Sequence, residues 1–122
     1  MTKKILIVED EESLLNVLVD KFTAEKFVVF SAKNGFEGLD IALKEKPDII
    51  LLDIVMPKMD GLTMLRELRE DESGKNIKVI ILTNLSGEDS MAEAMDNGSF
   101  GYLIKSDWKI EDLVKKVEEK LK

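Results

Sequence analysis

Short apolar runs alternate along the chain with longer segments of helical period. Ile5-Leu6-Ile7-Val8, Ile49-Ile50-Leu51-Leu52 and Val79-Ile80-Ile81-Leu82 are unbroken rather than alternating. Unbroken runs rich in β-branched residues suit strands buried on both faces, the habit of interior parallel strands. Phe27-Val28-Val29-Phe30 and Tyr102-Leu103-Ile104 are weaker and suit edge strands. Five helices are predicted around them. Leu15, Leu18, Val19 and Phe22 fall on one helical face. Phe36, Leu39 and Leu43 share a side of a second helix, which Pro47 ends at Lys46. A third follows Gly61, with Leu62, Leu65 and Leu68 at three-residue spacing. A fourth, about Glu88 to Asn97, carries Met91, Ala94 and Met95. Its methionines are assigned to the core, and Asn97-Gly98 to a left-handed C-terminal cap. The fifth aligns Ile110, Leu113, Val114, Val117 and Leu121, and the polar loop from Glu70 to Asn76 is expected to be exposed.

Strict alternation of strand and helix predicts an α/β fold, a doubly wound parallel sheet with helices on both faces and right-handed crossovers. No repeat, linker or low-complexity stretch interrupts it, so residues 1–122 are read as a single domain. In such sheets the functional crevice lies beyond the carboxyl ends of the strands. The residues just past the apolar runs are therefore the ones to inspect. They are Glu9-Asp10-Glu11-Glu12, then Asp53, then Thr83-Asn84, then Lys105-Ser106.

Composition narrows the chemistry. The chain has neither cysteine nor histidine. Disulfides, thiolate sites, thiol nucleophiles and histidine acid–base work are thereby excluded. A net charge of −7 argues against direct nucleic-acid binding, which needs a basic surface. No apolar run approaches the ~20 residues of a membrane span, and the N-terminus does not read as a signal peptide. A cytoplasmic location is expected.

Glu9, Asp10 and Asp53 in one crevice would repel one another unless a cation joined them. Hard oxygen ligands open to solvent suit Mg²⁺, which binds through a few carboxylates plus phosphate oxygens. Lys105 would add a compact positive charge and Thr83 a hydroxyl donor. Together they could hold the equatorial oxygens of a phosphoryl group while Asp53 attacks in line. Each residue also has a plainer role. Asp10 would cap the first helix, and Glu11 and Glu12 would be first-turn acids favoured by the helix dipole. Asp53 would be a turn residue, Thr83 a β-branched strand residue, and Lys105 a solvated charge. The joint pattern favours the first reading, because four separate strands end in the residue types that one reaction needs.

Asp53-Ile54-Val55-Met56-Pro57-Lys58-Met59-Asp60-Gly61 resembles the signature of bacterial response-regulator receiver domains. With Glu9-Asp10, Thr83 and Lys105 in matching places, the resemblance covers the whole chain. It implies a flavodoxin-like, five-stranded sheet in the order 2-1-3-4-5. It implies that Asp53 accepts a phosphoryl group from a sensor histidine kinase or phosphotransfer protein. Mg²⁺ would be held by Asp10 directly, Glu9 through water, Asp53 and the carbonyl of Val55. Thr83 and Lys105 would contact the phosphoryl group, and Tyr102 would be an aromatic switch. Output would pass to a downstream protein or a second copy through the face of the fourth helix, fifth strand and fifth helix. The resemblance implies a domain that assists its own phosphorylation and slow dephosphorylation and is otherwise not an enzyme. Faster members carry polar residues two positions after the Asp and after the Thr, where this chain has Val55 and Leu85. Two departures stand out. Asn84 replaces a small residue, and Ser106 replaces a proline, so a trans Lys105–Ser106 peptide is expected. A flavin mononucleotide binder, a haloacid-dehalogenase-type phosphohydrolase and a phosphorylation-independent receiver are the alternatives. The chain ends after the fifth helix, so a stand-alone regulator acting through a partner is expected.

Overall fold

The computed structural model describes residues 2–85 and 87–122. Five strands, β1 (Lys4–Val8), β2 (Val28–Ala32), β3 (Ile49–Leu52), β4 (Lys78–Thr83) and β5 (Gly101–Ile104), form one sheet in the order β2-β1-β3-β4-β5. Every pairing is parallel. The helices are α1 (Glu12–Ala24), α2 (Gly35–Glu45), α3 (Gly61–Glu70), α4 (Glu88–Asp96) and α5 (Ile110–Leu121). The expected fold class and strand order are thus observed, and the two weaker apolar runs lie at the sheet edges.

Side chains of a strand alternate between faces, so each interior run feeds two cores. Ile5, Ile7, Ile49, Leu51, Ile80 and Leu82 pack with Leu15, Leu18 and Phe22 of α1 and Leu113, Val114 and Val117 of α5. Leu6, Val8, Ile50, Leu52, Val79 and Ile81 pack with Ala42 of α2, Met64, Leu65 and Leu68 of α3, and Ala94 of α4. Two faces of this kind explain why the apolar runs of the three central strands, Ile5–Val8, Ile49–Leu52 and Val79–Leu82, are unbroken.

Leu39 and Leu43 of α2 pack on the core as expected, but three other residues expected there, on α2 and α4, face outward. On α2 the buried positions are Gly35, Gly38 and Ala42, while Phe36 is 58% exposed. Small residues let this helix approach the sheet closely and turn the Phe36 ring outward. On α4, Met91 and Met95 are 40% and 52% exposed, not core. The inward stripe is instead Ser90, Glu93, Ala94 and Asn97. Polar contacts with α3 set that rotation: Arg66 pairs with Glu93, and Arg69 reaches the end of α4. Its guanidinium donates to the carbonyls of Asn97 at 3.1 Å, Gly98 at 2.9 Å and Gly74 at 2.7 Å. Gly98 takes the left-handed conformation expected of the cap, at φ +82°. The loop after α3 is exposed as expected apart from Gly74, buried against Leu68.

Arg69→Ala leaves three carbonyls without their charged donor. We expect a loss of about 1.5–3 kcal/mol in urea unfolding, the usual scale for hydrogen bonds to a charged group, with faster amide exchange around Gly98. An unchanged unfolding midpoint would contradict this role for Arg69.

Candidate functional site

The strand ends meet on one edge of the sheet. Val8 and Leu52 are paired neighbours, so Glu9 and Asp53 emerge side by side. The Asp53 N–H donates to the Val8 carbonyl and the Glu9 N–H to that of Ala32, each at 3.0 Å. Backbone hydrogen bonding thus continues right up to the two carboxylates. Thr83 and Ile104 are likewise paired, and Lys105 opens a single 3₁₀ turn, Lys105–Asp107. One open cavity is lined by Glu9, Asp10, Glu11, Asp53, Val55, Thr83, Asn84, Leu85 and Lys105. Six of the seven residues expected at the site lie around it. The seventh, Tyr102, is one step behind on β5.

Carboxylate oxygens of Glu9, Asp10 and Asp53 lie within 4.8 Å of one another. Lys105 Nζ stands 2.6 Å from Glu9 Oε1 and 3.0 Å from Asp53 Oδ2. Glu9 and Asp53 are buried, whereas Asp10 is exposed to the cavity. Burial pushes the Glu9 carboxyl above its usual range, although hydrogen bonds with Lys105 and the Glu11 N–H partly offset it. Burial also opposes the Lys105 ammonium, but hydrogen bonds to Glu9 and Asp53 outweigh it, and the Lys105 pKa is raised. Lys105 therefore stays charged, whereas on Glu9 burial outweighs the hydrogen bonds. Three carboxylates facing one ammonium leave two negative charges uncompensated when all are ionised. A small divalent cation matches that deficit, and oxygen-only ligands suit Mg²⁺.

The capping role considered for Asp10 is not adopted. Glu11 is the N-cap of α1, with no side-chain cap bond, and its N–H is taken by Glu9 Oε2 at 2.9 Å. Asp10 is left facing the cavity. Val55 is 62% exposed at the cavity rim. The Lys105–Ser106 peptide is trans, as expected without proline.

Thr83 is 1% exposed, and its Oγ1 accepts the Leu85 N–H at 3.3 Å. That geometry leaves the hydroxyl proton available to a ligand in the cavity. The Leu85 carbonyl in turn accepts the Tyr102 hydroxyl at 2.6 Å. Leu85 thus ties Thr83 to Tyr102 through its own backbone. Sequence reasoning named both ends of this chain and missed its middle, because an amide and a carbonyl leave no trace in side-chain identity. The hydrogen bond from the Gly35 N–H to the Met59 carbonyl, which joins the start of α2 to the loop after β3, was missed too. Asn34 followed three residues later by Glu37 is a helix-start signature that could have drawn attention to it.

The family model for the response regulator receiver domain matches residues 5–118. Response regulator PleD of Caulobacter vibrioides is 38% identical over 105 residues. Those residues are 86% of this chain and 23% of PleD, so the chain spans about a quarter of that relative. Sporulation initiation phosphotransferase F of Bacillus subtilis is 37% identical over 86% of this chain and 83% of its own length. Among solved structures, the receiver domain of sensor histidine kinase PA1611 from Pseudomonas aeruginosa is similar, with a TM-score of 0.88. It is 25% identical, the match covers 99% of this chain and 98% of that one, and a magnesium ion is coordinated in its active site cleft.

The charge balance predicts a Mg²⁺ titration series. By calorimetry, Asp10→Asn and Asp53→Asn should each weaken binding roughly tenfold or more, about 1.4 kcal/mol. Lys105→Met removes the competing ammonium and should tighten it. Weaker binding in Lys105→Met would show that the ammonium supports the cation site rather than competing with it.

Proposed function

Since the chain belongs to the response regulator receiver domain family, whose members are signalling phosphoacceptors, we propose that it is a phosphorylation switch of a two-component system with Asp53 as acceptor. The donor is a phosphohistidine on a sensor kinase or phosphotransfer protein in the cytoplasm. Among the described residues no helix is long and apolar enough to cross a membrane.

The observation that carries this reading is the placement of Lys105 between Glu9 and Asp53, with Thr83 lining the same cavity. An Asp53 carboxylate oxygen forms the new bond to phosphorus as the bond from phosphorus to the donor imidazole breaks. The imidazole keeps the electron pair and takes up a proton. An ionised carboxylate needs no general base, which suits a chain without histidine. Lys105 exchanges its hold on Asp53 for a phosphoryl oxygen, and the Thr83 hydroxyl donates to another. Mg²⁺ on Glu9, Asp10, Asp53 and the Val55 carbonyl would neutralise the oxygens that gather negative charge.

Hydrolysis of the aspartyl phosphate needs a water held in line by a polar group. Val55 and Leu85, at the rim of the cavity, offer apolar side chains. The phosphorylated state is therefore long-lived.

The readout face is α4, β5 and α5. Drawing Thr83 toward a phosphoryl group moves its Leu85 partner and, through the Leu85 carbonyl, the Tyr102 ring. A hydrogen bond to a charged group contributes about 1.5–3 kcal/mol. That shifts a two-state equilibrium by roughly ten- to a hundred-fold, enough for a switch. The exposed Met91 and Met95 lie on this face and suit a protein partner or a second copy.

Intact-mass analysis with acetyl phosphate should show one added phosphoryl group in wild type. It should show none in Asp53→Asn or in EDTA, and the label should last minutes or more. Labelling of Asp53→Asn, absence of label in wild type, or loss within seconds would each count against the corresponding part of this reading. With beryllofluoride as phosphate mimic, amide exchange across residues 84–108 should change in wild type and respond weakly in Thr83→Ala. An equal response in both would break the proposed link.

A further inference from the structure

We propose that Asn34 and Gly35 form a positioning element for the loop that presents the Val55 carbonyl to the metal. It rests on the reading above, in which that carbonyl is a ligand.

The loop from Asp53 to Gly61 is closed at its base, where the Gly61 N–H donates to the Ile54 carbonyl at 2.9 Å. A Cβ at Gly61 would lie 2.1 Å from the Asp53 carbonyl oxygen, so only glycine permits this closure. At its far side the chain turns sharply. Lys58 has φ +67°, and the Met59 N–H reaches back to the Pro57 carbonyl at 2.8 Å. A non-glycine residue in that conformation is strained and must be held from outside. Gly35 holds it: its N–H donates to the Met59 carbonyl at 3.0 Å. The approach is so close that a Cβ at Gly35 would stand 2.5 Å from the same carbonyl oxygen and 2.7 Å from Met59 Cγ.

The holding turn is itself stiff. Asn34 is buried and caps α2, with Oδ1 accepting the Glu37 N–H at 2.9 Å. Its Nδ2 donates to Glu37 Oε2 at 3.0 Å. The β2–α2 turn therefore holds Met59, and with it the strained turn at Lys58 that follows Val55 in the loop. Supporting groups around metal ligands commonly affect affinity by roughly 10–100-fold.

A merely structural role is separable because α2 carries an internal control. A Cβ at Gly38 would meet Met64 Sδ and Val8 Cγ2 first, each at 2.9 Å, so its nearest neighbours lie on α3 and β1 rather than on the loop. Both Gly35→Ala and Gly38→Ala should lower the melting temperature. Only Gly35→Ala should weaken Mg²⁺, by roughly tenfold, in calorimetry on the full chain well below its melting point. Only Gly35→Ala should shift the amide resonances of residues 55–59. Should Gly35→Ala not fold, Asn34→Ala loosens the same turn without a clash and should weaken Mg²⁺ in the same direction. Wild-type affinity with unshifted resonances in Gly35→Ala would overturn the inference, as would equal weakening in Gly38→Ala. Wild-type affinity in Asn34→Ala overturns it where that variant stands in. A wild type that binds no Mg²⁺ would overturn the underlying metal reading instead.

Discussion

Three carboxylates crowd one edge of the sheet, and their repulsion is the constraint around which the site is built. With oxygens within 4.8 Å of one another, each ionised pair repels by roughly 3–4 kcal/mol at an effective dielectric of ~20. Lys105 touches two of the three and relieves part of that repulsion. The negative charge that remains is one that a divalent cation would balance. The site is thus stable enough to persist and unsatisfied enough to react.

The fold makes this crowding affordable by setting it at the ends of strands that are apolar on both faces. Two cores hold the sheet, and the carboxylates emerge where backbone pairing ends. Lys105 comes from an edge strand, through a short 3₁₀ turn. That turn is less enclosed than the central strands, which suits the exchange of partners proposed for Lys105. Behind it, Thr83, Leu85 and Tyr102 form a continuous hydrogen-bonded path from the cavity to the outer face of β5.

Much of this was legible from residue order. Unbroken apolar runs located the interior strands, and the residues directly after them line one cavity, the candidate site. What residue order could not show is how a helix rotates on the sheet. Periodicity placed Phe36, Met91 and Met95 on inner faces by their size. Close glycine packing on α2 and the contacts of Arg66 and Arg69 across α3 and α4 decided otherwise. These are long-range contacts, and local hydrophobic pattern carries no record of them. The place of Leu85 was hidden for a related reason, since its backbone makes both hydrogen bonds and any residue but proline could supply them.

The central claim is that Lys105 leaves its place between Glu9 and Asp53 for the phosphoryl group. A crystal structure of the full chain with Mg²⁺ and beryllofluoride tests it most directly. The account predicts beryllium bonded to an Asp53 oxygen, Lys105 Nζ and the Thr83 hydroxyl each on a fluorine, and the contact between Lys105 and Asp53 broken. Beryllofluoride on Asp53 with Lys105 still seated between the two carboxylates would contradict it.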